Sequence, residues 1–240
     1  MKYITLFETA EAYNAATLDL PNVSLIEETM SVGYKPWVET KLVCKYNVTD
    51  TSNPTALRTN YENNIFKSME IDDVMLDELV TEYTFDTVGV HTVKYELYDN
   101  TKLGNSAPVF NNSILTECII PDSVTSICDH AFYSCTGLTN VTIGNNVTSI
   151  GIYAFYSCWS LTSVTMPDSV TSIGTGAFQS CDLTSIVSNA MTAPTISSDT
   201  FKNMKICGTL TVPIGSTGYD VWMGTDNYYL GKYNWTKVEQ

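Results

Sequence analysis

Along the second half of the chain, apolar positions return at a fixed interval. Phe132, Phe155, Phe178 and Phe201 stand 23 residues apart, and Cys135, Cys158 and Cys181 keep the same interval. So do Val124, Val147 and Val170, and Ile127, Ile150 and Ile173. Ala131, Ala154 and Ala177 precede the phenylalanines, and Leu138 and Leu161 follow the cysteines by three positions. Leu183 follows Cys181 by only two, and Phe110 and Leu115 show the same shortening in an earlier, less regular copy. A fixed period of this length marks a solenoid, because one such unit cannot bury its apolar side alone and stacked units can. Each period reads as two short strands, Leu-x-x-Val-x-Ile (Leu138, Val141, Ile143) and Val-x-x-Ile (Val147, Ile150), followed by a tight Ala-Phe turn. β-branched residues suit the pleated strands. Gly144, Gly151, Gly174, Pro121 and Pro167 suit the corners. Coils about 4.8 Å apart would share one core.

Residues 40 to 100 follow a different rhythm. In "YTFDTVGVHTVKYELYD" the pattern alternates, with Val93, Tyr95 and Leu97 on one face and Thr92, Lys94 and Glu96 on the other. That is a half-buried antiparallel strand. "KLVCKYNV" and "FKSMEIDDVML" predict earlier strands, with Asp72-Asp73 as a turn. Before them, Thr9 can cap a short helix from residue 10 to about 17. "NVSLIEETMSVGYKP" then predicts a two-stranded hairpin. The last segment is aromatic, with Tyr219, Trp222, Tyr228, Tyr229, Tyr233 and Trp235. The fold class is therefore mainly β, with predicted units at 1–38, 39–102, 103–206 and 207–240.

Composition removes several function classes. A hydrophobic fraction of 44% supports a packed core, while the formal net charge is −14 and Arg58 is the sole arginine. Nucleic-acid binding needs clustered Lys and Arg, so no nucleic-acid partner is expected. An anionic membrane surface is disfavoured for the same reason. The first residues are no secretory leader, since Glu8 and Glu11 interrupt any apolar run. No stretch is long enough for a membrane-spanning helix, so no membrane insertion is expected. The expectation is either an internal location or export by a route other than a leader on this chain.

The chemistry-bearing residues are sparse. Seven cysteines without a CxxC pair argue against a complete disulfide framework. The ladder Cys135, Cys158, Cys181 predicts buried reduced thiols, because equivalent Cβ vectors in successive coils run parallel. His91 and His130 fall in different predicted units, so no catalytic triad is expected. Glu27-Glu28, Asp72-Asp73 and Asp77-Glu78 match no calcium loop and read as solvated turns. No dinucleotide or phosphate loop occurs. Catalytic residues, metal and cofactor are all predicted to be none.

Candidate contacts come from the outward positions. Thr142 and Thr165, with Asn140, Ser163 and Ser185 beside them, give a small polar face. Tyr133, Tyr156 and Trp159 cluster near the Phe turns and are the candidate aromatic contact, the alternative being packing between coils. At the C-terminus, Tyr228, Tyr229 and Trp235 read either as a cap for the last coil or as a sugar-binding platform.

The string "LTNVTIGNNVTSIGIYAFYSCWSLTSVTMPDSVTSIGTGAFQSC" resembles the BspA-like (Treponema-type) leucine-rich repeats, over about residues 105 to 205. That family's pattern is close to L-T-S-V-x-I-P-x-S-V-T-S-I-G-x-x-A-F-x-x-C. The resemblance implies surface proteins of host-associated bacteria, adhesion to host proteins, and no shared catalytic residues. Residues 39–102, ending in G-x-H-T-V-x-Y, resemble an immunoglobulin-like or PKD-like β-sandwich that acts as a spacer and caps the first coil. Residues 1–38 resemble a short module found before such domains in gut Bacteroidetes and their phages. That module implies a docking tag for a larger assembly such as a virion, the alternative being a plain β cap. Residues 205 to 240 resemble the terminal unit of Bacteroidetes proteins of this repeat class.

These readings lead to a non-enzymatic recognition or adhesion protein on a virion surface or another extracellular or cell surface. Its repeats would touch a protein or glycan on a host surface. A bacterial cell-surface adhesin and an oligomeric capsid or tail decoration protein are the alternatives.

Overall fold

Each 23-residue period folds into one coil. The computed structural model describes residues 40–59, 65–98, 101–104 and 107–240. The helix and hairpin expected within 1–38 lie outside the described residues.

The strands predicted by the Val-x-Ile pairs form two parallel ladders. The first ladder contains β8 (Leu115–Ile119), β10 (Asn140–Thr142), β12 (Ser163–Met166), β14 (Ser185–Ser188), β15 (Thr209–Val212) and β16 (Thr236–Glu239). The second contains β7 (Lys102–Leu103), β9 (Ser126–Ile127), β11 (Ser149–Ile150) and β13 (Ser172–Ile173). Register follows the repeat: Thr142 faces Thr165, and Ile150 lies between Ile127 and Ile173. The parallel ladder does not stop at residue 206. β15 pairs with β14, and β16 pairs with β15, so the expected cap carries two further rungs.

The core between the ladders is a column of identical side chains. Phe132 and Phe155 stack at 5.0 Å and 4°, and Phe155 and Phe178 at 5.4 Å and 3°. Phe110 extends the column at one end (5.4 Å to Phe132), and Phe201 at the other (6.2 Å from Phe178). Trp222 closes it, 5.2 Å from Phe201. All six rings are 1% exposed or less. Cys135, Cys158 and Cys181 are buried free thiols, as the parallel geometry predicts. Cys158 and Cys181 donate from Sγ to the Phe132 and Phe155 carbonyls, at 3.2 and 3.0 Å. The corner glycines serve close approach more than turn conformation. A Cβ at Gly151 would stand 2.5 Å from the Asp129 nitrogen, and one at Gly174 would stand 2.6 Å from the Ile152 nitrogen.

The alternating segments before the coils join the same sheet. β1 (Leu42–Val48) pairs antiparallel with β6 (Gly89–Leu97), and β6 with β3 (Phe66–Ile71). β3 turns through Asp72 and Asp73 (φ 48° and 66°) into β4 (Val74–Met75). The alternation read from the sequence holds, since Val93, Tyr95 and Leu97 are buried. A short ladder of β2 (Thr55–Ala56) and β5 (Glu82–Tyr83) accompanies these strands. The Tyr46 hydroxyl, 3.1 Å from that of Tyr95, donates to the Leu57 carbonyl at 2.7 Å. β1 also pairs antiparallel with β8. One ten-stranded sheet therefore runs through the expected division at 102/103 and changes from antiparallel to parallel at β8.

Candidate functional site

The repeat supplies an internal alignment. Residues that recur in every coil serve the scaffold, and residues that differ at one repeat position are free to do something else. In the Ala-Phe turns, Ala, Phe and Cys recur. At the position just before the alanines the chain has His130, Tyr153 and Gly176. Just after the phenylalanines it has Tyr133, Tyr156 and Gln179, and just after the cysteines Thr136, Trp159 and Asp182. The aromatic residues are concentrated on two successive coils.

The structure brings four of them together. Tyr133 and Tyr156 stack at 4.8 Å and 12°. His130 lies 5.6 Å from both Tyr133 and Tyr153, and Tyr153 meets Tyr156 edge-on at 5.5 Å. All four are half-buried, so each ring is both packed against its neighbours and open on one side. Trp159, three residues beyond Tyr156, is 59% exposed, and the neighbouring Ile152 is 41% exposed. Tyr133 and Tyr156 thus pack between coils, the alternative raised for them, while each keeps part of its surface exposed.

His130 and Tyr153 are additions that sequence reasoning missed. Their backbones are left-handed, at φ 60° and 53°, as is Gly176 at 63°. A non-glycine residue there costs about 1–2 kcal/mol. The third coil uses the unstrained residue, and the first two carry a ring instead. The signal was visible as a glycine aligned with two aromatics. What sequence spacing alone could not show is that the rings converge across coils.

Thr142 and Thr165 lie elsewhere. They are exposed and adjacent on β10 and β12, while the aromatic cluster sits in the turns joining the second ladder to the first. The proposed polar and aromatic contacts therefore occupy separate faces of the coil. A different threonine row is structural: Thr125, Thr148, Thr171 and Thr195 donate from Oγ1 to the carbonyl of the preceding threonine (3.0 to 3.3 Å).

Of the C-terminal contacts, Trp235 needs correction. Trp235 is only 5% exposed, and its Nε1 donates to the Lys205 carbonyl at 2.8 Å. Its ring fills the space over Gly208, where a Cβ would stand 2.2 Å from it. It seals the last rungs and presents no face to a ligand. Tyr228 is half-buried, with the Lys202 and Lys232 ammonium groups 4.7 and 4.4 Å from its ring centre. Tyr229 is half-buried too. Tyr219 and Trp222 of the same segment are each 1% exposed.

Electrostatics separate the coils from the rest of the chain. From residue 103 to 201 there are six acids (Glu117, Asp122, Asp129, Asp168, Asp182, Asp199) and neither Lys nor Arg. Glu117, Asp182 and Asp199 pair with lysines outside that stretch (Lys45, Lys205 and Lys202). Asp122 accepts hydrogen bonds from Asn145, and Asp129 from the Ile152 nitrogen.

The arrangement that most resembles catalytic geometry is a structural one. His91 Nδ1 lies 2.6 Å from Asp72 Oδ2, and Nε2 lies 2.8 Å from the Thr87 carbonyl. Both ring nitrogens are engaged by these partners, which leaves neither free to act as a base. Burial opposes the charge, and the hydrogen bonds to Asp72 and Thr87 with the Asp72 charge outweigh it, so the His91 pKa is raised. A cleft of about 270 Å³ beside Val48, Asp50, Pro54 and Asn112 has a carboxylate, but Asp50 is held by its own loop through Ser52 and Asn53. Among the described residues no group of three His, Cys, Asp or Glu side chains could hold a metal. No helix among them is long and apolar enough to cross a membrane.

Comparison with known proteins agrees with the repeat geometry. The model of the BspA type leucine-rich repeat region matches residues 101–221 in six copies. That span takes in the Phe column from Phe110 to Phe201. A crystal structure of a leucine-rich repeat protein from Bacteroides ovatus ATCC 8483 is 25% identical over 54% of this chain, with a TM-score of 0.36. The chain spans 30% of that protein's length. No curated protein matches the chain.

Proposed function

This chain belongs to the BspA-type leucine-rich repeat family, and we propose that it is a non-enzymatic recognition and adhesion protein displayed on a virion surface. Proteins of this family are generally surface or adhesion proteins with repeats that mediate protein–protein contact. Within that class, the aromatic cluster of the coils that carry Phe132 and Phe155 is the contact face. Its outer member is Trp159, and Tyr133, Tyr153, Tyr156 and His130 support it. The observation that carries this reading is that these residues depart from the repeat on two adjacent coils, at the cost of two strained backbones.

The charge pattern narrows the target. A stretch of 99 residues with six acids and no Lys or Arg repels anionic partners. A neutral glycan or a protein surface bearing cations suits it, and a sialylated or sulfated glycan does not. Thr142 and Thr165 form a second, weaker contact face. Residues 39–102 act as a spacer, and residues 1–38 dock the protein to a virion component.

Mass spectrometry of purified virus particles and of washed cell envelopes tests the setting. Stoichiometric recovery in particles supports virion attachment. Recovery in envelopes alone sinks that part and leaves a cell-surface adhesin.

A further inference from the structure

We infer that Cys44 and Cys118 are a disulfide site that staples the antiparallel strands to the first coil. The two residues are register partners on β1 and β8, the pair at which the sheet changes from antiparallel to parallel. Their sulfurs stand 3.5 Å apart, and both residues are 0% exposed. Closing to a bond requires an approach of about 1.5 Å, within reach of side-chain rotation with a small strand shift. The ladder cysteines differ. Their Cβ vectors run parallel, and the thiols of Cys158 and Cys181 donate to the carbonyls of the preceding coil.

The reaction is thiol–disulfide exchange with a small-molecule disulfide such as oxidised glutathione. One cysteine thiolate attacks it, one glutathione thiol leaves, and a mixed disulfide forms. The second cysteine then attacks that bond and the second glutathione thiol leaves. Two cysteine thiols are oxidised, one small disulfide is reduced, and the two cysteine protons end on the two glutathione thiols. Because both sulfurs are buried in the folded sheet, the exchange belongs to folding, before β1 and β8 close over each other.

The bond would change what the sheet does under load, a consequence that rests on the adhesion reading. The two cysteines are 74 positions apart. Tension between the start of β1 and the coils beyond β8 would pass straight across the staple. The enclosed strands β2 to β7 would carry none of it. A pulled molecule would then extend about 27 nm less before the coils yield.

The test uses the full chain. It is refolded from the reduced, denatured state in a mixture of oxidised and reduced glutathione, quenched with N-ethylmaleimide, digested and mapped. The expected product is about 2 Da lighter before alkylation, contains a linked Cys44–Cys118 peptide, and has its other cysteines alkylated. It melts about 10 °C above the same protein refolded under full reduction. Alkylation of both Cys44 and Cys118, a link from either to another cysteine, or an unchanged or lower melting temperature would each overturn the inference. Surface binding, measured on the same two preparations, reports the adhesion reading separately: mapped linkage without binding contradicts adhesion alone.

Discussion

The strands β1, β3 and β6 and the coils that follow share one sheet, yet they hold together by different means. The antiparallel region depends on individual partners: Tyr46 on Leu57, His91 on Asp72, Lys94 on Asp73. Each contact is made once. The coils depend on columns in which every member has the same neighbour above and below. A column has few specific weak points and distributes its stability over nearest-neighbour contacts. It also leaves the outer turn positions free to vary, and the aromatic cluster uses that freedom. The comparison teaches that in this chain, regularity marks the scaffold and departure from regularity marks the candidate site.

Breaking a column should have the largest effect. Phe155→Ala removes a ring stacked on both sides, and the cost is expected to be about 3–5 kcal/mol by denaturant unfolding. Gly174→Ala attacks the spacing between coils. A Cβ there would lie 2.6 Å from backbone, so a loss of about 2 kcal/mol is expected. In the antiparallel region, Tyr46→Phe deletes one buried hydroxyl and leaves the Leu57 carbonyl and the Tyr95 hydroxyl short of a partner. About 1–3 kcal/mol is expected, and a loss as large as that of Phe155→Ala would show that the two regions are not held so differently.

His91 sharpens the comparison through pH. Its pKa is raised in the folded state, mainly because the Asp72 and Thr87 contacts overcome burial. The stabilisation is then fully present below the unfolded value of about 6.5 and is lost as pH rises through the folded value. His91→Gln should therefore lower the melting temperature more at about pH 5.5 than at about pH 9. An equal loss at both would show that the imidazolium contributes nothing. The smallest effect on stability is expected from Trp159→Ala, within about 0.5 kcal/mol, because the side chain is exposed.

Much of the scaffold was legible in the chain because its signal is local and repeated. The Phe column, the buried thiols, the inward Val93, Tyr95 and Leu97 and the Asp72-Asp73 turn all follow from periods of 23 or of two. Non-local facts were hidden. Nothing near Cys44 or Cys118 in sequence announces that β1 pairs with β8, since that pairing closes across 74 positions. Trp235 looked like a surface aromatic because its burial depends on the empty space at Gly208, 27 residues earlier. Tyr133, Tyr156 and Trp159 were named from the sequence as a candidate contact, and the structure places the two tyrosines beside His130 and Tyr153. His130 and Tyr153 escaped because their meeting depends on left-handed backbones that only glycine would have announced.

The most direct test of the central claim is binding of the full chain and of the double variant Tyr156→Ala, Trp159→Ala to immobilised neutral glycans and mucosal proteins, with melting recorded on the same samples. The account predicts that binding falls at least about tenfold, the loss of roughly 1.4 kcal/mol, while the melting temperature shifts by no more than about 4 °C. Unchanged binding, or a loss of binding accompanied by collapse of the fold, would contradict the claim that these two coils carry the recognition face.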